Sequence, residues 1–189
     1  MELFNTTTNV ISQGKVRRGS WAAYLPVDHG DIEEFLQVRS EGHPIQDISM
    51  AVCIPNYWME EMIGGDVKKR EIMAKIHKKR SETGYPYIFF TDNVNEGKPQ
   101  WYKDQDMEIK HSQLCAEIME YTDEDKSFVC CLSSMNLLHY DDWKGTNAVK
   151  VLTNLLEAVY TEFVEKASGV PFLEKAVRFA EDHRSIGVG

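Results

Sequence analysis

The stretch His111-Ser-Gln-Leu-Cys-Ala-Glu-Ile-Met119 holds the residue types best suited to chemistry in this chain of 189 residues. In an extended segment, residues two apart point the same way and lie about 7 Å from each other, which would put Gln113, Cys115 and Glu117 on one face. Such a face offers a carboxamide for hydrogen bonding, a sulfur able to act as a nucleophile or a one-electron centre, and a carboxylate able to move a proton, all within reach of one small substrate. A buried structural cysteine with two polar neighbours gives the same pattern, and residue types alone favour that plainer reading by roughly three to one.

Cys53, Cys130 and Cys131 complete the four cysteines, at irregular spacings and with no Cys-x-x-Cys pair. This fits neither a secreted disulfide framework nor a zinc ribbon, so reduced thiols are expected. Cys130 and Cys131 are adjacent, so in a strand they face opposite sides; at most one can share a site with Cys115, and the other packs as core. Cys53, within Met50-Ala-Val-Cys-Ile-Pro55, reads as a core residue of its strand. The six histidines lack the paired spacing that a structural zinc site needs, and no metal site is expected. His29 and His43 read as capping or packing residues.

The elements that must position these residues alternate strand and helix in an α/β pattern without repeats or linkers. Ser20 to Pro26 reads as a buried strand stopped by proline, after which Asp28 can cap a helix carrying Ile32, Phe35 and Leu36 on one face. Asp47 to Ile54 is a second apolar strand, and Pro55 opens a short helix through Met62. Asp66 can cap a basic helix that runs to Thr83 and ends at Gly84. Tyr87 to Thr91 reads as an internal strand, followed by a polar loop of about 20 residues from Asp92 to His111, a length that in compact domains is usually functional. Gln113 to Tyr121 and Ser127 to Leu132 are expected to be extended and joined by a polar turn, a pattern open to hairpin formation. Two core-packing helices follow, Thr146 to Ala167 with Val149, Leu152, Leu156, Val159, Tyr160 and Phe163 at helical spacing, and Pro171 to His183. The closing Arg184-Ser-Ile-Gly-Val-Gly189 reads as a turn into another buried strand with no following residues to cover its apolar edge.

Composition narrows the function classes. With 42% hydrophobic and 27% charged residues, 12 Gly and 6 Pro, the chain is globular and long enough for a real core. Twenty-one Lys and Arg against 30 Asp and Glu give a net charge of −9, which argues against direct DNA binding through a basic field. No apolar run approaches the ~20 residues of a membrane helix, and the first residues lack signal-peptide character, so a cytoplasmic protein without membrane association is expected.

The segment His111-Ser-Gln-Leu-Cys-Ala-Glu-Ile118, followed by Phe128-Val-Cys-Cys-Leu-Ser-Ser-Met-Asn-Leu137, resembles the active-site stretch of the large, catalytic (alpha) subunit of class I ribonucleoside-diphosphate reductase. The usual wording there is Ser-Asn-Leu-Cys-x-Glu-Ile, then Cys-x-Leu-Ser/Ala-x-x-Asn-Leu. Val16-Arg-Arg-Gly-Ser-Trp-Ala-Ala-Tyr-Leu-Pro-Val27 is similar to the family's Arg-x-Gly-Ala-x-x-x-Tyr-Leu-Pro strand, and Asp28 to Leu36 to its next helix. Thr83-Gly-Tyr-Pro-Tyr-Ile88 and His183-Arg-Ser-Ile-Gly-Val-Gly189 also agree, in order, so that the resemblance spans nearly the whole chain. It implies that Cys115 is the thiyl radical that abstracts the ribose 3′-hydrogen and Glu117 the base that takes the 3′-hydroxyl proton. By the same resemblance Cys130 is one of two reducing thiols that end as a disulfide, and Gln113, in place of the usual Asn, holds the substrate hydroxyls. Glutamine keeps the amide donors and acceptor but adds one methylene.

The implied fold is a portion of the family's ten-stranded α/β barrel, incomplete on both sides: residues 1–189 form a single partial catalytic-barrel domain. The allosteric cone, the barrel strand with the partner thiol of Cys130, the radical-relay tyrosines and the cysteine tail are expected outside this chain. The implied partners are a ribonucleoside diphosphate substrate, the remaining portions of the catalytic subunit and a metal-containing, radical-generating small subunit. Thioredoxin or glutaredoxin would be the reductant, and no cofactor is held by this chain. Open strand edges and uncovered apolar faces would make the isolated chain poorly soluble, oligomeric or partly disordered, and active only in assembly. The rival expectation is a non-catalytic barrel remnant kept as a structural or interaction module.

Overall fold

The structure is a computed structural model and describes residues 1–13, 16–114 and 116–189. The chain divides into two compact units, residues 1–119 and residues 120–189. In the first unit α1 (Glu2–Val10) leads through a short antiparallel pair, β1 (Ser12–Gln13) and β2 (Arg17–Arg18), to β3 (Trp21–Pro26). Next come α2 (Ile32–Phe35), β4 (Ile48–Ile54), α3 (Asn56–Gly64), α4 (Val67–Thr83) and β5 (Tyr87–Phe90). The strands form a three-stranded parallel sheet in the order β3-β4-β5, with Trp21 opposite Ile48, Pro26 opposite Cys53, and Ala51 opposite Tyr87.

β4 is the centre of this sheet because its run Ile-Ser-Met-Ala-Val-Cys-Ile is apolar on both faces, and all of it except half-buried Ser49 is buried. Its side chains join Val27, Ile32, Phe35, Leu36, Val38, Ile45, Trp58, Met73 and Ile76 in one cluster. Helices return the chain from each strand end to the start of the next, as parallel pairing requires. α3 starts after Pro55 and ends at Gly65 in the left-handed region, and Asp66 then accepts from the Lys69 amide at 3.0 Å to open α4. α4 ends at Gly84, also left-handed, so the capping expected from sequence is observed at both ends of this helix.

The helix after β3 begins later than expected. Its N-cap is Asp31, while Asp28 instead accepts a short hydrogen bond from the Tyr57 hydroxyl. The apolar face is nevertheless as read, with Ile32, Phe35 and Leu36 all buried. The polar stretch after β5 also differs from a loop of about 20 residues: it folds into α5 (Thr91–Gly97) and α6 (Gln100–Asp104). Both helices are short and mostly polar, so they lack the apolar stripe by which a helix announces itself in sequence. β5, read as internal, lies at the edge of the described sheet.

α4 buries one cation. Lys79 is 6% exposed and donates to Ser40 Oγ at 2.6 Å, and burial, the largest effect on it, pulls its pKa below the usual lysine value. The fold therefore disfavours the protonated amine, and stability should rise as pH climbs through the lowered pKa toward the unfolded value near 10.5. Lys79→Met should be at least as stable as the parent at pH 7, and its advantage should shrink as pH rises. Denaturant unfolding at pH 7 and pH 10 checks this; an advantage that grows with pH would refute it.

In the second unit β6 (Cys131–Ser133) is followed by a 3₁₀ turn (Leu137–His139), α7 (Tyr140–Trp143), α8 (Ala148–Ala167), α9 (Glu174–His183) and β7 (Ile186–Val188). β6 and β7 pair in parallel, with Cys131 opposite Ile186. The polar turn before β6 is as expected: Asp123 Oδ1 accepts from the amides of Asp125 and Lys126, each at 2.7 Å. Of the extended segment expected over 127–132, only its end enters a strand, and that strand pairs with β7. α8 buries Leu156 and Tyr160 against this pair, but Val149 and Val159, expected in the core, are each 46% exposed, beside exposed Val151 and Leu155. Among the described residues no helix is long and apolar enough to cross a membrane.

Candidate functional site

The approach to the site segment is fixed by side chains from α5. Asn95 Nδ2 donates to the Ile109 carbonyl and Asn95 Oδ1 accepts from the Ile109 amide, both at 2.9 Å, so one carboxamide makes the pair of bonds a neighbouring strand would make. Lys98 Nζ donates to the Met107 carbonyl at 2.8 Å, and the Ile109 side chain is buried. Cys53 at the end of β4 sits 3.9 Å from the Lys110 carbonyl, and burial pushes its thiol up to about 11. That keeps it protonated and unreactive at neutral pH, in line with a core role.

From Ser112 onward the chain bends back on itself. Ser112 Oγ donates to the Ile118 carbonyl at 2.5 Å, and the Gln113 amide reaches the same oxygen at 3.3 Å. The Ala116 amide donates to the Gln113 carbonyl at 3.1 Å, and Ala116 has φ of 62°. Gln113 and Glu117 are therefore carried on a closed loop and not on an extended strand. The cause is local: Ser112 is buried, and its hydroxyl and the amides of Gln113 and Ala116 find partners within the loop, so among the described residues no ladder with a neighbouring strand forms. A shared face by alternation no longer applies; Gln113 and Glu117 both lie within the stretch that the Ser112–Ile118 and Gln113–Ile118 bonds close.

Gln113 is half-buried and Glu117 exposed. Cys115, which falls between them in sequence, lies outside the described residues. The Gln113 carbonyl accepts a second hydrogen bond, from the Tyr24 hydroxyl on β3 at 2.8 Å. Neither Tyr24 nor Asn95 was singled out by sequence. The signal was absent because their partners are backbone atoms 89 and 14 residues away.

Cys130 belongs to the second unit and is exposed, immediately before β6. Its neighbour Cys131 is half-buried and points its sulfur at the Leu156 carbonyl of α8, 3.8 Å away, and burial raises its pKa. The two thiols thus have different surroundings, one exposed ahead of the strand and one in β6 turned to a helix. The segment before Cys130 is pinned by Tyr160, whose hydroxyl donates to the Val129 carbonyl at 2.7 Å from a ring that is 2% exposed.

The family model described as ribonucleotide reductase, barrel domain, matches residues 1–66 and 60–189. The two matched stretches overlap where α3 meets α4 through Gly64, Gly65 and Asp66. A protein of Frog virus 3 (isolate Goorha), described as a ribonucleoside-diphosphate reductase large subunit, is 36% identical over 94% of this chain and 35% of its own length. The ribonucleoside-diphosphate reductase large subunit of Invertebrate iridescent virus 3 is 25% identical over 100% of this chain and 41% of its own length. That alignment runs over 263 residues, more than the 189 of this chain, so the relative carries residues with no counterpart here. Among solved structures, the Actinobacillus ureae class Id ribonucleotide reductase alpha subunit superposes with a TM-score of 0.92 and 49% identity, covering 100% of this chain and 35% of the other. The chain spans 35–41% of the length of these relatives. A family match over essentially every residue, joined to this loop and this pair of cysteines, places the chain in the ribonucleotide reductase barrel-domain family.

Proposed function

We propose that the chain is the central part of the catalytic barrel of a class I ribonucleoside-diphosphate reductase, and that it supplies the radical cysteine and the base for reduction of ribonucleotides to deoxyribonucleotides. The observation that carries this reading is the likeness to a ribonucleotide reductase alpha subunit along the full length of the chain at 49% identity. The loop geometry supports it, because Ser112 and the backbone hold the segment bearing Gln113 and Glu117 in a closed turn, a fixed platform for a substrate.

In the proposed reaction Gln113 hydrogen-bonds the ribose hydroxyls, the Cys115 thiyl radical takes the 3′-hydrogen atom and returns it to C3′ at the end of turnover, and Glu117 accepts the proton of the 3′-hydroxyl and gives it back as the hydroxyl is restored. One ribose hydroxyl leaves as water. The two electrons come from Cys130 and a second thiol outside this chain, which together become a disulfide. Exposed Cys130 suits a thiol that must be re-reduced from outside by thioredoxin or glutaredoxin, whereas Cys131 is turned toward α8. The radical reaches Cys115 from the metal-containing small subunit, so the chain itself needs no metal. Residues 1–189 act in this reading as one partial domain of the ten-stranded barrel, in the cytoplasm, and only in assembly.

The test is reconstitution. The chain is combined with segments corresponding to the rest of a catalytic subunit and with a radical-generating small subunit, and conversion of ribonucleoside diphosphate to the deoxy product is measured. Product formation that requires the chain is the expected result; a reconstituted complex that binds substrate and yields no product would refute the reading.

A further inference from the structure

The loop from Ser112 to Ile118 is stapled mainly to itself: Ser112 Oγ, the Gln113 amide and the Ala116 amide all bond to carbonyls within it. Self-bonding fixes the shape of such a loop but not its place in the protein. Place is set by contacts with a rigid element, and here the sheet provides one. Tyr24 lies in β3, opposite Ala51 of the buried central strand. Its ring packs edge-on to Phe89 of β5, with centroids 5.8 Å apart, and lies 5.8 Å from the His111 ring at the entry to the loop. Held between these groups, its hydroxyl reaches the Gln113 carbonyl at 2.8 Å.

That carbonyl is the acceptor of the turn itself, bonded by Ala116 at 3.1 Å. Both lone pairs of one oxygen are thereby used, one to close the turn and one to tie it to the sheet. A displacement of this atom moves Gln113 directly and the rest of the turn with it. We infer that Tyr24 is a positioning residue for the reaction: its hydroxyl sets where the loop bearing Gln113 and Glu117 stands relative to the sheet, without touching substrate. This rests on the reductase reading of the loop.

Tyr24→Phe is the test, because it keeps the ring and its contacts with Phe89 and His111 and removes only the hydroxyl. A net hydrogen-bond contribution near the usual size corresponds to about a tenfold change in an equilibrium or rate constant. Amide exchange at Gln113 and Ala116 in the full chain should accelerate by about that factor, with exchange across β4 unchanged. In the reconstituted reductase the single-turnover rate constant should fall about tenfold while its amplitude and the KM for ribonucleoside diphosphate stay within about twofold. Loss of folded protein would lower the amplitude and not the rate constant.

Unaltered exchange at Ala116 would overturn the clamp. Faster exchange with an unaltered turnover rate would overturn the positioning role. An assembly inactive with Tyr24 in place would overturn the reductase reading and the positioning role with it, while the exchange result would still stand as a property of the loop.

Discussion

Cys115→Ser is expected to lower deoxyribonucleotide formation by the reconstituted enzyme on the order of 1,000-fold or more, with substrate binding nearly intact. Serine is close to cysteine in size and keeps a hydrogen-bonding group, so the substitution isolates the chemistry of sulfur. An O–H bond is far stronger than an S–H bond, and a serine hydroxyl cannot be converted to a radical by an oxidant matched to a thiol. Among the described residues the bonds that shape the loop run through Ser112, Gln113, Ala116 and Ile118, and circular dichroism of the variant should match the parent. Comparison of turnover with equilibrium binding of the nucleoside diphosphate separates the two effects. Turnover within about tenfold of the parent would show that Cys115 is not the radical centre.

The second large effect concerns stability. Phe179 on α9 is fully buried, stacks on His183 with ring centroids 4.2 Å apart, and lies 6.2 Å from the Phe128 ring. With Val177 and Ala180 it forms the buried face of α9 in a unit of modest size. Phe179→Ala removes the ring and leaves a cavity that such a small unit can fill only in part, for an expected cost of about 3–5 kcal/mol. Marginal domains do not tolerate such a loss well, so α8 and α9 should lose amide-exchange protection together while α4 in the other unit keeps its own. A loss below about 1 kcal/mol would mean that the stacked ring is not part of a packed core.

Much of this architecture was legible in the sequence where the chemistry is local. β4 declares itself because seven consecutive residues suit burial on both faces, and α4 because Asp66 and Gly84 sit where a helix needs a cap and a left-handed stop. The end of α8 and the whole of β7 follow from the same kind of signal. The loop that matters most was misread as a strand. Its polar and apolar residues alternate as a strand's do, while the bond that ties it to the sheet comes from Tyr24, 89 residues before its Gln113 partner. No window of sequence contains both partners. α5 and α6 were read as loop for a related reason: they are held by Asn95 on Ile109 and by the fixed backbone of Pro99, not by an apolar stripe.

The roles proposed for the site residues rest on another kind of signal. Spacing alone favoured a structural cysteine, and it was the joint wording around Cys115 and Cys130 that carried the assignment of roles. The structure carries Gln113 and Glu117 on one closed turn of the first unit, and Cys130 is exposed in the second.

Removal of a hydrogen atom from the ribose ring, as proposed for this chain, is measured by competition between 3′-protiated and 3′-deuterated ribonucleoside diphosphate in the reconstituted enzyme. Deoxy product enriched in protium relative to the starting mixture is expected, because breaking the C3′–H bond to the Cys115 sulfur is slower for deuterium. Product that draws on both isotopologues equally, or product still formed at the parental rate by Cys115→Ser, would contradict it.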